Sequence, residues 1–180
     1  MEIQNTTILA STVAGRKDAL VQAWLARVLE SYAPQTSRFL AQDSDAFRNP
    51  IGHTLQQSLA ALLDELLGEM NVERVKPLLD GIVRIRAVQD FTASEAVAFV
   101  FALKQVVRDE VRSQGQERGE VDDLAVLDAR IDELALLAFD LFMRCREQLY
   151  EVKANEARRR VSVLERVRER SRERSDPSSR

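Results

Sequence analysis

Between Glu120 and Ser175 the chain contains neither glycine nor proline. Nothing in that segment has the backbone chemistry that stops a helix, and read as one helix it would extend roughly 80 Å at about 1.5 Å per residue. That is longer than a small domain can cover. Leu124, Leu127, Ile131, Leu134, Ala138, Leu141, Cys145 and Val152 form a near-heptad seam, widened by Leu136, Leu137, Phe139 and Phe142. The first half is therefore predicted to pack against a body. Beyond Val152 the stripe thins to Val161, Val163, Leu164 and Val167 among arginines and glutamates. This end is expected to project, with Val152, Val161, Leu164 and Val167 forming a dimer or partner arm. The expected organisation is a helical domain over 1–153, a charged helical extension over 154–171 and a disordered tail over 172–180.

The upstream sequence is helical by the same logic. Six Gly and four Pro in 180 residues are too few for the turns of an all-β chain. Leu20, Val21, Trp24, Leu25, Val28 and Leu29 recur at helical spacing, predicting a helix from about Ser11 to Tyr32. Pro34 suits the start of a short helix through Leu40, and 43–48 reads as a loop. Asn49-Pro50 is a start signal for a helix carrying Leu55, Leu59, Leu62, Leu63, Leu66 and Leu67, closed by Gly68. Asn71 can cap the next helix, in which Pro77 predicts a kink or a fresh start near Val75. Thr92-Ala93-Ser94-Glu95 is a capping box. It opens a helix to about Arg112 whose first half, Ala96 to Leu103, is apolar all round and so predicted to be buried. Gly115 to Gly119 reads as a polar loop.

The corner between these last two helices is the most plausible polar site. Arg84 and Arg86 are two apart, about 200° round a helix, and cannot share a face. Arg86 falls on the side of Leu79, Ile82 and Val83, whereas Arg84 falls near the opposite edge. Arg86, Gln89 and Asp90 are the candidate ligand-binding residues, for an anionic metabolite or a partner carboxylate. The competing reading is structural, with Arg86 paired internally to an acid or capping carbonyls.

Catalytic chemistry is hard to assemble from what remains. One histidine and one cysteine exclude most triads and zinc sites, and no phosphate-binding glycine loop occurs. No enzyme, metal or cofactor is expected. Residues 151–180 carry ten Lys/Arg against six Asp/Glu, while the preceding residues carry sixteen against twenty-three. A nucleic-acid role would rest on that basic tail, but its arginines are interleaved with glutamates and it lacks stacking aromatics. No nucleic acid is expected as a partner. No signal-peptide pattern begins the chain, and its longest apolar run is far below the ~20 residues that span a bilayer. A cytoplasmic, non-membrane protein is expected.

Three stretches resemble one family. The run from Phe47 to Leu55, the more specific run from Ile82 to Phe91, and the Leu-rich helix from Asp132 to Glu147 are similar to the N-terminal sensor domain of RsbT co-antagonist (RsbRD-type) proteins. The likeness covers about residues 13–155. It implies an all-α, globin-like bundle of five to seven helices with a long last helix, acting as a non-enzymatic sensor or adaptor in bacterial partner-switching stress signalling. It also implies a homodimer and a protein partner; the trigger at Arg86–Asp90 is expected to be either a small-molecule effector or a partner. The STAS output domain usual in such proteins does not follow here, so output through a separate chain is expected. Two alternatives stand beside this: an interaction subunit of a larger complex, and a haem or small-ligand binder using His53 as axial ligand.

Overall fold

The computed structural model of the chain describes residues 15–42, 48–89, 91–113 and 121–175. Among these residues there are six helices and no strand: α1 (Lys17–Glu30), α2 (Pro34–Gln42), α3 (Pro50–Leu67), α4 (Val72–Val88), α5 (Ala93–Ser113) and α6 (Val121–Ser175). The all-α class and the long last helix are as the sequence predicts. The part of α1 expected before residue 15, and the loops expected at 43–47 and 115–119, lie outside the described residues.

Helix starts follow local chemistry. Asn49 Oδ1 accepts from the Gly52 amide at 2.8 Å, and its Nδ2 donates to the Leu40 carbonyl at 2.8 Å. One buried side chain thus caps α3 and ties it to the end of α2. The cap leaves no room beside it, because a Cβ on Gly52 would stand 2.2 Å from Asn49 Nδ2. Gly52→Ala is therefore expected to cost about 1–2 kcal/mol by breaking the cap, against the small gain usual for Ala in a helix. Urea unfolding of that variant reads it, and an unchanged midpoint would show the cap to be dispensable. Asn71 Oδ1 accepts from Glu73 and Arg74 and caps α4. Of the kink or fresh start expected near Val75, no fresh start occurs. The helix runs unbroken through Pro77, since a proline one turn in forgoes only one bond near an already capped end.

Residues 1–143 and 144–180 form two compact units. In the first, α1 packs on α3 and α5, and α4 packs on α3. Trp24 is fully buried in this core with Leu20, Leu59, Leu62, Val83, Val100 and Leu103. The first part of α6 contributes Ile131, Leu134, Ala138 and Phe142 to it. Lys104 reaches Asp132 at 2.7 Å and Arg108 pairs with Asp128, so α5 and α6 are also joined by charge. Arg130 donates to the carbonyls of Leu66 and Gly68, closing the C-terminus of α3.

One apolar expectation needs correction. The first half of α5 is not enclosed all round: Ala98 is exposed and Phe101 is 47% exposed, with Lys104 over its ring. Apolar composition alone cannot distinguish an enclosed helix from one with an uncovered edge. In the second unit, residues 151–171 are exposed throughout, and Val152, Val161, Leu164 and Val167 each expose more than half of their surface. Arg160 and Glu156 pair at helical spacing along this segment.

Candidate functional site

The end of α4, the end of α1 and the start of α5 converge on Arg86. Periodicity alone sends this side chain inward, and its solvent exposure is 0%. An arginine so placed must be compensated from within. Its Nη1 donates to the Glu95 carbonyl at 3.0 Å, and its Nη2 to Ser31 Oγ at 3.1 Å and, more weakly, to the Val28 carbonyl at 3.5 Å. Ser31 itself donates to the Val28 carbonyl at 2.6 Å. Three rings surround the guanidinium: its carbon lies 4.9 Å from the Phe91 centroid, 5.2 Å from Phe99 and 5.3 Å from Tyr32. Each face offers an attraction of about 0.5–2 kcal/mol.

Among the described residues the hydrogen-bond partners of this cation are neutral. No carboxylate among the described residues pairs with it, and its Nε is buried without a hydrogen-bond partner. The Tyr32 hydroxyl is buried against the guanidinium, close enough for the two side chains to act on each other by charge and hydrogen bonding. Burial pushes the Tyr32 phenol up and the Arg86 guanidinium down, each opposed by the other's proximity. The phenol thus remains a proton donor.

The neighbours of this cluster are also held by side-chain contacts. Trp24 Nε1 donates to the Phe99 carbonyl at 2.7 Å, and the two rings stack with centroids 6.4 Å apart. Phe91 meets Tyr32 edge-on at 5.4 Å. At the start of α5, Glu95 Oε2 accepts from the Thr92 amide at 2.9 Å and from Thr92 Oγ1 at 2.8 Å, which is the predicted capping box. These bonds hold the Glu95 carboxyl below its ordinary range. The sign is that of a depressed carboxylate: the contribution is present above the ordinary pKa and disappears as pH falls through the lowered one.

A surface pocket of about 390 Å³ opens over the corner, lined by Ser31, Tyr32, Ala33, Thr36, Gln89, Phe91 and Glu95. Of the three predicted ligand-binding residues, Gln89 borders this pocket and Arg86 lies behind its Tyr32 and Phe91 walls. Asp90 lies outside the described residues. Arg84, set aside on spacing, is exposed and paired with Asp80 at 2.5 Å. Ser31, Tyr32 and Phe91 were not singled out from the sequence. Only the pairing of α1 with α4 and α5 brings them to Arg86, and no short motif encodes it.

His53 is part-buried in a separate groove of about 640 Å³, beside Asp18, Gln22, Gln56 and Gln57. Among the described residues no three His, Cys, Asp or Glu side chains are grouped to hold a metal. None of the helices described is long and apolar enough to cross a membrane.

The fold and this corner define an all-helical domain whose most concentrated polar chemistry is a buried cation at a three-helix junction. The chain belongs to the RsbT co-antagonist protein rsbRD N-terminal domain family, whose profile matches residues 18–157. This is a family of regulatory domains of partner-switching stress responses. Neither a search of curated proteins nor one of solved structures returned a match.

Proposed function

We propose that this protein is a non-enzymatic cytoplasmic sensor or adaptor, which receives a signal at the Arg86 corner and passes it to a protein partner through its last helix. The observation that carries this reading is the connection between the two. The corner is built on the start of α5, and the same helix is joined to α6 by the Lys104–Asp132 and Arg108–Asp128 pairs. A change in how α5 sits against Arg86 would therefore be felt along α6.

The exposed arm supports homodimerisation as part of that output. Tyr150, Ala154, Ala157, Val161 and Leu164 recur at alternating spacings of four and three, so one helix can lay them against a second copy. One flank of this seam carries Arg146, Lys153 and Arg160, and the other Glu151, Arg158 and Glu165. In a parallel pair, Arg146 meets the second copy's Glu151 and Arg160 its Glu165, two attractive pairs against the one repulsive pair of Lys153 and Arg158. In an antiparallel pair the cationic flanks would face each other. A parallel dimer follows.

Leu164→Glu combined with Val161→Glu in the full chain is expected to convert a dimer to a monomer in size-exclusion chromatography with light scattering. A dimer that persists would remove the arm from the interface. Capture of native partners on the immobilised full chain tests the signalling role itself. Recovery of partner-switching proteins is expected, and their absence would leave the reading without its output.

A further inference from the structure

The exposed part of α6 carries a second periodic face. Val152, Glu156, Arg159, Val163, Arg166 and Arg170 recur at alternating spacings of four and three. Each of the first five stands two positions after a member of the seam that begins at Tyr150, so the two faces lie about 200° apart on the helix. A helix that pairs through the seam leaves this other face turned outwards. Val152 and Val163 are each more than half exposed, and Arg159, Arg166 and Arg170 are exposed with them.

Its charge is of one sign. The one acid on it, Glu156, is already held by Arg160 at 2.6 Å. No carboxylate among the described residues pairs with Arg159, Arg166 or Arg170. Arg166 folds back onto neutral partners, the Ser162 hydroxyl at 3.2 Å and carbonyl at 3.3 Å, which leaves its charge uncompensated. Glu165 and Glu169 each precede an arginine of the face by one residue, about 100° round the helix, and so form a separate acidic stripe beside it. The three arginines extend over about 16 Å.

This pattern selects among occupants. A second copy is disfavoured by like charge, since three cations would face three cations. A nucleic acid would find no aromatic to stack on and would meet the acidic stripe with its phosphates. A lipid surface calls for a continuous apolar face, whereas here valine alternates with arginine. A helix bearing carboxylates satisfies both parts: it neutralises the arginines and covers the valines between them.

We infer that this face of α6 docks an amphipathic helix of a partner protein, with carboxylates over Arg159, Arg166 and Arg170 and an aliphatic side chain over Val163. The inference rests on reading the last helix as the output element, and it names the chemistry of the partner and the side of the helix that it takes.

Fluorescence anisotropy of labelled probes with the full chain tests this. The first probe is a helical peptide of about twenty residues carrying Glu and Leu at four-three spacing on one face. The others are its counterpart with Lys for Glu and a single-stranded RNA oligonucleotide, with co-sedimentation on phosphatidylserine vesicles alongside. The Glu peptide is expected to saturate and to bind about tenfold or more tighter than the Lys peptide, a difference that shrinks with added salt. The triple variant Arg159→Gln, Arg166→Gln, Arg170→Gln is expected to lose about tenfold or more in affinity for it, with the helical circular-dichroism signal retained. Val163→Gln leaves every charge in place and is expected to weaken binding about threefold or more, which separates a seated helix from general attraction. Absence of saturable binding by the Glu peptide overturns the proposal, as does equal affinity in the triple variant or in Val163→Gln. Tighter binding of the RNA or the vesicles than of the peptide also overturns it. Oligomeric state and capture of native partners are measured separately. A chain that captures partners yet ignores the acidic helix keeps its regulatory role and loses only this docking face.

Discussion

Arg86→Ala is expected to lower the stability of the domain by about 3–5 kcal/mol, seen as a fall in Tm on the order of 10 °C. The side chain fills the space between three aromatic rings, and removing it leaves a cavity together with the Glu95 carbonyl and Ser31 hydroxyl short of a donor. Arg86→Met separates volume from charge. An apolar chain of similar length restores most of the packing and removes the cost of burying a cation, so its loss is expected to be only about 1–2 kcal/mol. Should the alanine variant melt within a degree or two of the unaltered protein, the guanidinium does not hold the corner together. A methionine variant that is stable yet no longer captures partners would show that the charge is kept for signalling and not for folding.

Trp24→Ala is expected to be of similar size, about 3–5 kcal/mol, because the indole is completely buried where α1 meets α5. Trp24→Phe keeps most of the apolar area but loses the Nε1 bond to the Phe99 carbonyl, for about 1–2 kcal/mol. Phe99 touches both Trp24 and Arg86, so the two sites share a partner. The double variant Trp24→Phe with Arg86→Met is expected to depart from additivity by more than about 0.5 kcal/mol. Strict additivity in urea melts would mean that Phe99 does not couple them.

Helix limits were the most legible part of this chain. Asn49, Asn71 and the Thr92–Glu95 box each act through their own backbone neighbours, so their caps are found where the sequence predicts them. Pro77 gives no fresh start, because a proline there forgoes a single ladder bond and the capped helix continues through it. The full enclosure expected of α5 failed because composition reports greasiness and not coverage. The exposed Phe101 edge depends on which elements lie beside it.

The family, the all-helical class and the inward turn of Arg86 against the outward turn of Arg84 were determined by the sequence alone, because profile, periodicity and capping are properties of the chain read in order. What surrounds Arg86 was not. Ser31 and Tyr32 come from more than fifty residues upstream, and Phe91 and Glu95 from beyond the turn. Only packing α1 against the α4–α5 connection makes them one site. The ring cage of Arg86, the buried Tyr32 hydroxyl beside it and the neutral acceptors it meets among the described residues therefore belong to the tertiary structure, since the cost of a buried charge is set by what the fold places around it.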